Sequence, residues 1–150
     1  MIIDAKDAIL GRLSAFAAKQ LLLGSRVDVV NCEEAVVSGK KPSILENYIR
    51  RIDRKAPTKG PYLYRRPDFF VKRTIRGMLP FKRARGRDAF KNIKCHIGVP
   101  DSLKNEKAMV LEANASGLHS TDYLKVKDIC KAIGWKNDEQ SSNFLVVTQK

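Results

Sequence analysis

Residues 2–31 read IIDAKDAILGRLSAFAAKQLLLGSRVDVVN and contain two short apolar runs on either side of a longer amphipathic one. The longer run has apolar residues every three to four positions, which predicts a helix with one apolar face. These residues are Leu10, Leu13, Phe16, Ala17 and Leu21. Gly24 ends this helix, because glycine adopts the left-handed conformation of a helix terminus without strain. The flanking runs, 2–5 and 27–31, predict strands, so the unit predicts a parallel sheet with a crossover helix.

The chain continues with a short predicted strand at 35–38 and a second helix from Pro42. The apolar positions of this helix, Leu45, Ile49 and Ile52, are expected to face the protein. Residues 56–67 contain Pro57, Gly60, Pro61 and Pro67, which predict an open loop. A third helix has its apolar stripe at Phe70 or Val71, Ile75, Met78 and Leu79, and Pro80 ends it.

Later elements are shorter. Residues 83–93 predict a helix, and residues 95–98 predict a strand that Gly98 and Pro100 end. Residues 108–111 fit either a strand or a helical turn, and residues 126–133 predict a helix closed by Gly134. Residues 137–143 form a polar break, and residues 144–147 predict a final strand or an ordered tail. The sequence has no internal repeat or second domain boundary, so we expect residues 1–150 to form a single domain.

The net charge of +13 is concentrated in residues 50–94. This segment contains 16 of the 29 lysines and arginines and only three acids, Asp53, Asp68 and Asp88, so it accounts for the whole net charge. A charge of this density repels itself in a compact fold, and a polyanion is its natural counterweight. Nucleic acid is the strongest candidate, because phosphate neutralisation releases bound counterions.

Other functional classes have weak support in the sequence. Cys32, Cys95 and Cys130 form no C-x-x-C pair, which predicts reduced, buried thiols. Cys95 with His96 is too small a set for zinc, and His119 is predicted to be a loop residue. No metal or cofactor is expected. The sequence has no membrane-length apolar run, no signal-peptide pattern and no local catalytic signature, which favours a cytoplasmic protein that is not an enzyme.

Two predicted helices carry cations opposite their apolar faces. Lys72 and Arg76 are four residues apart with Arg73 adjacent, and Arg87, Lys91 and Lys94 share one helical face. A basic turn at 81–87 joins these helices, and its Gly86 allows a close backbone approach. Solvated surface charge is the alternative, but the acids that would balance such a surface are missing.

Two further features bear on RNA binding. Tyr62 and Tyr64, followed by Arg65 and Arg66, either stack on unpaired bases or cover the core, and the sequence leaves both open. Residues 37–41, VSGKK, lack the spacing of a phosphate-binding P-loop, so a phosphate contact there rests on charge alone.

Several segments, in this order and spacing, resemble the ribosomal protein L13 family of the large ribosomal subunit, in its archaeal-type branch. They are Ile3-Asp4-Ala5, Leu10-Gly11-Arg12-Leu13, Val29-Val30-Asn31-Cys32-Glu33, Val37-Ser38-Gly39-Lys40, Arg76-Gly77-Met78-Leu79-Pro80, Arg85-Gly86-Arg87, Ala89-Phe90 and Ile97-Gly98-Val99-Pro100. The resemblance spans about residues 2–100, and residues 111–150 match poorly.

The resemblance implies a three-layer α/β/α fold around a mostly parallel four-stranded sheet. It also implies a structural role, with binding to large-subunit ribosomal RNA and neighbouring ribosomal proteins, support of subunit assembly, and no small-molecule substrate or membrane partner. RNA contact is carried over to residues 39–41 and 76–87. With the charged segment, the predicted RNA-binding residues are Lys40, Lys41, Arg50, Arg54, Tyr62, Tyr64, Arg65, Arg66, Lys72, Arg73, Arg76, Lys82, Arg83, Arg85, Arg87, Lys91 and Lys94.

Two alternatives remain at this stage. An RNA-modifying or RNA-processing enzyme would use the basic face to capture its substrate, but it needs a cluster of acid, base or nucleophile that the segment lacks. A DNA-binding regulator needs a recognition helix, and residues 126–134 are too isolated to supply one.

Overall fold

The structure, a computed structural model, describes residues 1–54, 58–60, 62–111, 114–117 and 122–136. The predictions for Pro57, Pro61, His119 and residues 137–147 lie outside these residues. The opening unit is confirmed: β1 (Ile2–Asp4) leads into α1 (Leu10–Leu22), and β2 (Val27–Val30) pairs with β1 in parallel. Gly24 has a φ of +91°, the left-handed conformation expected at the end of α1.

A four-stranded parallel sheet forms the centre of the fold. Its order is β4-β2-β1-β5, with β4 at Ile93–Cys95 and β5 at Met109–Val110. Helices flank this sheet, so the predicted α/β class with a mostly parallel four-stranded central sheet is confirmed. The stretch 108–111, which fitted two interpretations, contains the edge strand β5 at Met109–Val110.

The core lies between one face of the sheet and the two helices α1 and α3 (Pro67–Met78). Ile3, Val29 and Ile93 are completely or almost completely buried on that face, and Leu13 and Ile75 meet them from the two helices. Side chains alternate across a strand, so every second residue of β1, β2 and β4 points to the opposite face. At about 25 cal/mol per Å² of buried apolar area, this layer supplies the main stabilisation of the fold.

A second, two-stranded sheet lies beside the first. β3 (Val36–Ser38) pairs antiparallel with β6 (Tyr123–Lys125), a strand that the sequence analysis did not predict. α5 (Val126–Ala132) follows directly, and the Val126 amide donates to the Ala35 carbonyl at 2.8 Å. Glu34 accepts hydrogen bonds from Lys125 and Lys127, which tie this sheet to the turn that follows β2. Both bonds lower the pKa of the Glu34 carboxyl.

The inner face of α2 (Lys41–Asp53) differs from the prediction. Ile44, Leu45 and Tyr48 pack against the core, whereas Ile49 is 44% exposed. Leu45 and Ile52 were correctly expected to be at least partly buried. The helix also contacts the core through Ile44 and Tyr48, which the prediction did not include. The prediction was wrong for Ile49 because the apolar positions of α2 span a broad arc of the helix, with Ile49 at one edge, and only tertiary contact selects among them. Met78, predicted in the inner stripe of α3, is exposed as well.

The predicted helix at 83–93 is also shorter in the structure. α4 spans Ala84–Lys91, and the next residues form β4 in place of the strand predicted at 95–98. The Val27 amide donates to the Asn92 carbonyl at 3.0 Å, and Ile93 is buried beside Val27. This pairing ends the helix, because the backbone of residues 92–95 is used by the sheet.

The three cysteines differ in their burial. Cys32 and Cys130 are buried, as predicted, while Cys95 is partly exposed, and all three are free. Burial raises the pKa of the Cys130 thiol to about 12, so this group stays protonated at neutral pH.

Among the described residues, no helix is long and apolar enough to cross a bilayer.

Candidate nucleic-acid interface

α3 is the helix around which the candidate site is built. It begins at Pro67, whose fixed backbone angle suits the first position of a helix, and it ends before Pro80. Phe70, Val71 and Ile75 are buried, so the cations on the opposite side are held at the surface. Arg73 and Arg76 are exposed there, and Lys72 is partly buried.

An open groove follows the end of α3 and the turn into α4. Its volume is about 560 Å³. We call this feature the cationic groove, and its lining residues are Arg73, Arg76, Gly77, Leu79, Pro80, Phe81, Lys82 and Arg83. Four of these eight residues are cationic and none is acidic, so the groove suits an anion.

Two smaller clefts adjoin the cationic groove. One, of about 250 Å³, is lined by Arg51, Arg54, Tyr62, Leu63 and Arg73. The other, of about 220 Å³, shares Arg51, Arg73 and Gly77 with its neighbours. Arg73 therefore belongs to all three depressions, and the structure brings Arg54, Tyr62, Tyr64, Arg73, Arg76, Lys82 and Arg83 onto one connected surface.

Aromatic rings support two of these cations, Arg73 and Arg76. The Arg73 guanidinium lies 5.8 Å from the Tyr64 ring centroid, and Tyr64 stacks on Phe69 at 5.5 Å. The Arg76 guanidinium lies 4.2 Å from the Phe81 ring, which meets Phe90 edge-on at 5.4 Å. Contact with a ring face limits the rotamers of a long cationic side chain and leaves its charge exposed.

Tyr62 and Tyr64 do not cover the core, because they are 64% and 48% exposed. The Tyr62 hydroxyl donates to the Thr58 carbonyl at 3.0 Å, and its own carbonyl accepts a hydrogen bond from Arg73. The core alternative is therefore excluded, and base stacking by these tyrosines stays a prediction.

The cations of the segment 50–94 are largely without carboxylate partners. Among the described residues, Arg66 pairs with Asp68 at 3.1 Å and Lys91 pairs with Asp88 at 3.0 Å, and both acids belong to the segment itself. Among the described acids outside the segment, Glu34 pairs with Lys125 and Lys127, which also lie outside it. The charge concentration seen in the sequence is thus also present on the folded surface.

Several predicted residues lie away from the connected surface. Lys40 and Lys41 are at the start of α2, about 20 Å along the helix axis from Arg54. Arg50, in the last turn of α2, is exposed but lines none of the three depressions. Arg87 and Lys91 are exposed on α4.

Lys94 does not share a helical face with Arg87 and Lys91, so that prediction was wrong. It lies in β4 and pairs in register with Asp28. Because Ile93 points to the core, Lys94 points to the sheet face opposite α1 and α3.

Two predicted RNA contacts, Arg85 and Arg65, lie at the ends of other helices. Arg85 donates to the Leu22 carbonyl at the end of α1, at 3.2 Å. The Arg65 guanidinium lies against Gly134, just after α5. A Cβ added to Gly134 would lie 3.2 Å from the nearest guanidinium nitrogen of Arg65. Cations suit helix C-termini, because the last carbonyls lack partners within the helix.

Arg51 was missing from the predicted site. It lies over the Tyr48 ring at 5.3 Å and lines both smaller clefts. The sequence does contain an indication of this position. Arg51 is three residues from both Tyr48 and Arg54, and residues at that spacing are neighbours on a helix.

Among the described residues, no group of three or more His, Cys, Asp or Glu side chains is placed to hold a metal ion. His96 and Asp28 approach to 3.2 Å, which joins β4 to β2.

The fold and this surface define a class: a small basic α/β protein with a connected, unneutralised cationic face suited to a polyanion. A family model described as ribosomal protein L13 matches residues 1–102. The chain therefore belongs to the ribosomal protein L13 family, and the resemblance noted in the sequence is confirmed.

Relatives from archaea extend the similarity along the chain. A large ribosomal subunit protein uL13 from Methanosarcina barkeri is 44% identical over 137 residues, which cover 90% of this chain and 98% of that protein. Proteins of the same name from Archaeoglobus fulgidus and Methanopyrus kandleri are 42% and 41% identical, each over 90% of this chain and 88% and 87% of their own lengths. Similarity to these relatives thus continues well past residue 102.

Proposed function

We propose that this chain is a structural constituent of the large ribosomal subunit, in the cytoplasm, that binds ribosomal RNA and supports subunit assembly without catalysis. The names of its relatives point to that subunit. One observation carries the RNA-binding role: exposed cations from α2, α3 and the turn before α4 line connected depressions and have few acidic partners. Neighbouring ribosomal proteins are the other proposed partners.

The proposed RNA contacts centre on Arg51, Arg54, Arg73, Arg76 and the turn at 82–83. Arg50, Arg87 and Lys91 extend the surface along α2 and α4, and Lys40 and Lys41 form a separate point of contact. Phosphate neutralisation by such residues lets two RNA helices approach each other, since the cations replace diffuse counterions. Arg65 and Arg85 contribute charge but serve first to join helices.

A salt titration tests this function. Filter binding to a large-subunit ribosomal RNA transcript should weaken by about 10³ to 10⁵ between about 50 and 200 mM salt, if about six to ten phosphates are contacted. An affinity that hardly changes with salt contradicts the proposal.

A matched pair of double variants places the contacts. Replacing Arg83 and Arg87 with Gln should lower the slope of log affinity against log salt by about two, because each lost phosphate contact removes about one unit. Replacing Lys6 and Lys107 with Gln removes the same charge from exposed positions outside the basic segment. Equal slopes for both variants would contradict this placement.

Sedimentation tests incorporation into the large subunit. After a high-salt wash of a cell extract, the protein should co-migrate with large subunits in a sucrose gradient. Recovery only at the top of the gradient would contradict the proposed incorporation.

A further inference from the structure

We propose that the cationic groove receives one unpaired nucleotide of the bound RNA, with its base on the Arg76 guanidinium and its flanking phosphates on Lys82 and Arg83. This inference rests on the proposed function and specifies which RNA element the groove recognises. It distinguishes the groove from exposed cations such as Arg50, Arg87 and Lys91, which have no ring contact among the described residues.

Three side chains, Arg76, Phe81 and Phe90, build the stacking surface. The Arg76 guanidinium lies 4.2 Å from the Phe81 ring centroid, the closest of the five cation–ring contacts in the described residues. Phe81 meets Phe90 at an interplanar angle of 88°, and the Lys72 ammonium lies 5.3 Å from the Phe90 centroid. Phe81 thus holds one side of Arg76, which is exposed and lines the groove. A guanidinium plane in that position stacks on an unpaired base.

The turn that carries Phe81 is held before RNA arrives. The Phe81 amide donates to the Leu79 carbonyl at 2.7 Å, and the Arg83 amide donates to the Pro80 carbonyl at 2.9 Å. Gly86 packs directly on the same turn, because a Cβ on it would lie 2.2 Å from the Pro80 oxygen. A surface ordered in advance spends less conformational entropy on binding.

The size and polarity of the groove fit one nucleotide. Its volume of about 560 Å³ lies within the usual range of about 300–1,000 Å³ for small-ligand sites. Leu79, Pro80 and Phe81 supply an apolar wall, and Lys82 and Arg83 supply exposed charge at its edge. Bases within an RNA duplex have both faces covered by their neighbours, so only an extruded base can reach Arg76.

Two RNA hairpins test the inference. They have the same stem, and one carries a single bulged 2-aminopurine whose fluorescence is quenched by stacking on neighbouring bases. We expect wild-type protein to bind the bulged hairpin about tenfold more tightly than the paired one and to raise its fluorescence, because the base leaves its neighbours and stacks on a guanidinium. Arg76→Lys keeps the charge and removes the plane, so it should abolish both the preference and the rise in fluorescence. Arg50→Gln, at an exposed position outside the groove, should weaken both hairpins equally and keep the preference.

The outcomes separate this inference from the proposed function. Equal affinity of wild-type protein for both hairpins, with a steep salt dependence, overturns the nucleotide site and leaves phosphate-based RNA binding intact. Salt-independent or absent binding of both overturns the function and the inference together. Binding of free 2-aminopurine nucleoside monophosphate as tightly as the bulged hairpin overturns the RNA element as the occupant. Circular dichroism of Arg76→Lys should match wild type, because Arg76 is exposed.

Discussion

A Cβ at position 86 would lie 2.2 Å from the Pro80 carbonyl oxygen and 2.4 Å from its carbon. Neither backbone atom can move without opening the turn into α4. We therefore expect Gly86→Ala to lower the free energy of unfolding by about 1–3 kcal/mol, the usual cost of overpacking. Urea denaturation measures this change.

Gly77 offers a matched control in α3. A Cβ there has no heavy atom within 4 Å, and alanine favours a helix over glycine. Gly77→Ala should raise the free energy of unfolding by about 0.5–1 kcal/mol. If the two variants have the same stability, the close approach of Gly86 to Pro80 is not what restricts position 86.

Glu34 predicts a pH-dependent contribution to stability. Hydrogen bonds from Lys125 and Lys127 lower the pKa of its carboxyl below the ordinary value of 4.5. Its contribution is therefore complete above pH 4.5 and is lost as the pH falls through the lowered pKa of the folded state. Glu34→Gln should cost about 1–2 kcal/mol at pH 7 and progressively less in acid.

Urea unfolding of wild type and Glu34→Gln from pH 7 to pH 3 measures this difference. Glu106→Gln is the control, because Glu106 is exposed and outside the cluster. A deficit for Glu34→Gln that stays constant down to pH 3 would contradict the assigned ion pairs.

At the scale of elements, Arg85 joins α4 to the end of α1. Its guanidinium donates to the Leu22 carbonyl, one of the last carbonyls of α1. Arg85→Met should lower the melting temperature by about 2–4 °C, which corresponds to about 1 kcal/mol for a chain of this size. Arg83→Met, at an exposed position with no carboxylate partner among the described residues, should leave the melting temperature unchanged and weaken RNA binding. Equal melting temperatures for the two variants would refute the role of Arg85.

The elements also show why local patterns were insufficient at their boundaries. The cations Arg87, Lys91 and Lys94 fit one helical face, and nothing in their spacing ends the helix at Lys91. The end is imposed by β2, which takes the Asn92 carbonyl and buries Ile93 beside Val27. β6 was missed for a similar reason: three residues with one buried position, Leu124, carry little periodic signal without their partner β3.

At the scale of the whole molecule, the charge of +13 gives added salt two opposite effects: it weakens RNA binding and stabilises the free protein. Without RNA, the cations around the groove repel one another, and added salt screens that repulsion. The melting temperature of the free protein should therefore rise by about 2–4 °C between about 20 and 200 mM salt. Differential scanning fluorimetry measures it. A melting temperature that falls or stays constant over this range would show that the folded surface does not concentrate repulsion as inferred.

The charge segment and the first strand–helix–strand unit were readable from the sequence, since both depend on near neighbours. Apolar residues at three- to four-residue spacing and the glycine at 24 specify α1 locally, and an excess of Lys and Arg at 50–94 remains wherever the chain folds. The resemblance of the motifs at 3–100 supplied the family and the sheet, which the matched model and the structure confirmed.

Only the tertiary structure shows which cations line the groove and which ones bind other parts of the protein. Arg76 and Arg85 look alike along the chain, yet one lies on Phe81 beside an open groove and the other is bound to the end of α1. Lys94 lies on the opposite face of the sheet because its neighbour in β4, Ile93, is buried in the core. Such assignments depend on contacts between residues distant along the chain, and hydrophobic burial, which drives those contacts, is not directional.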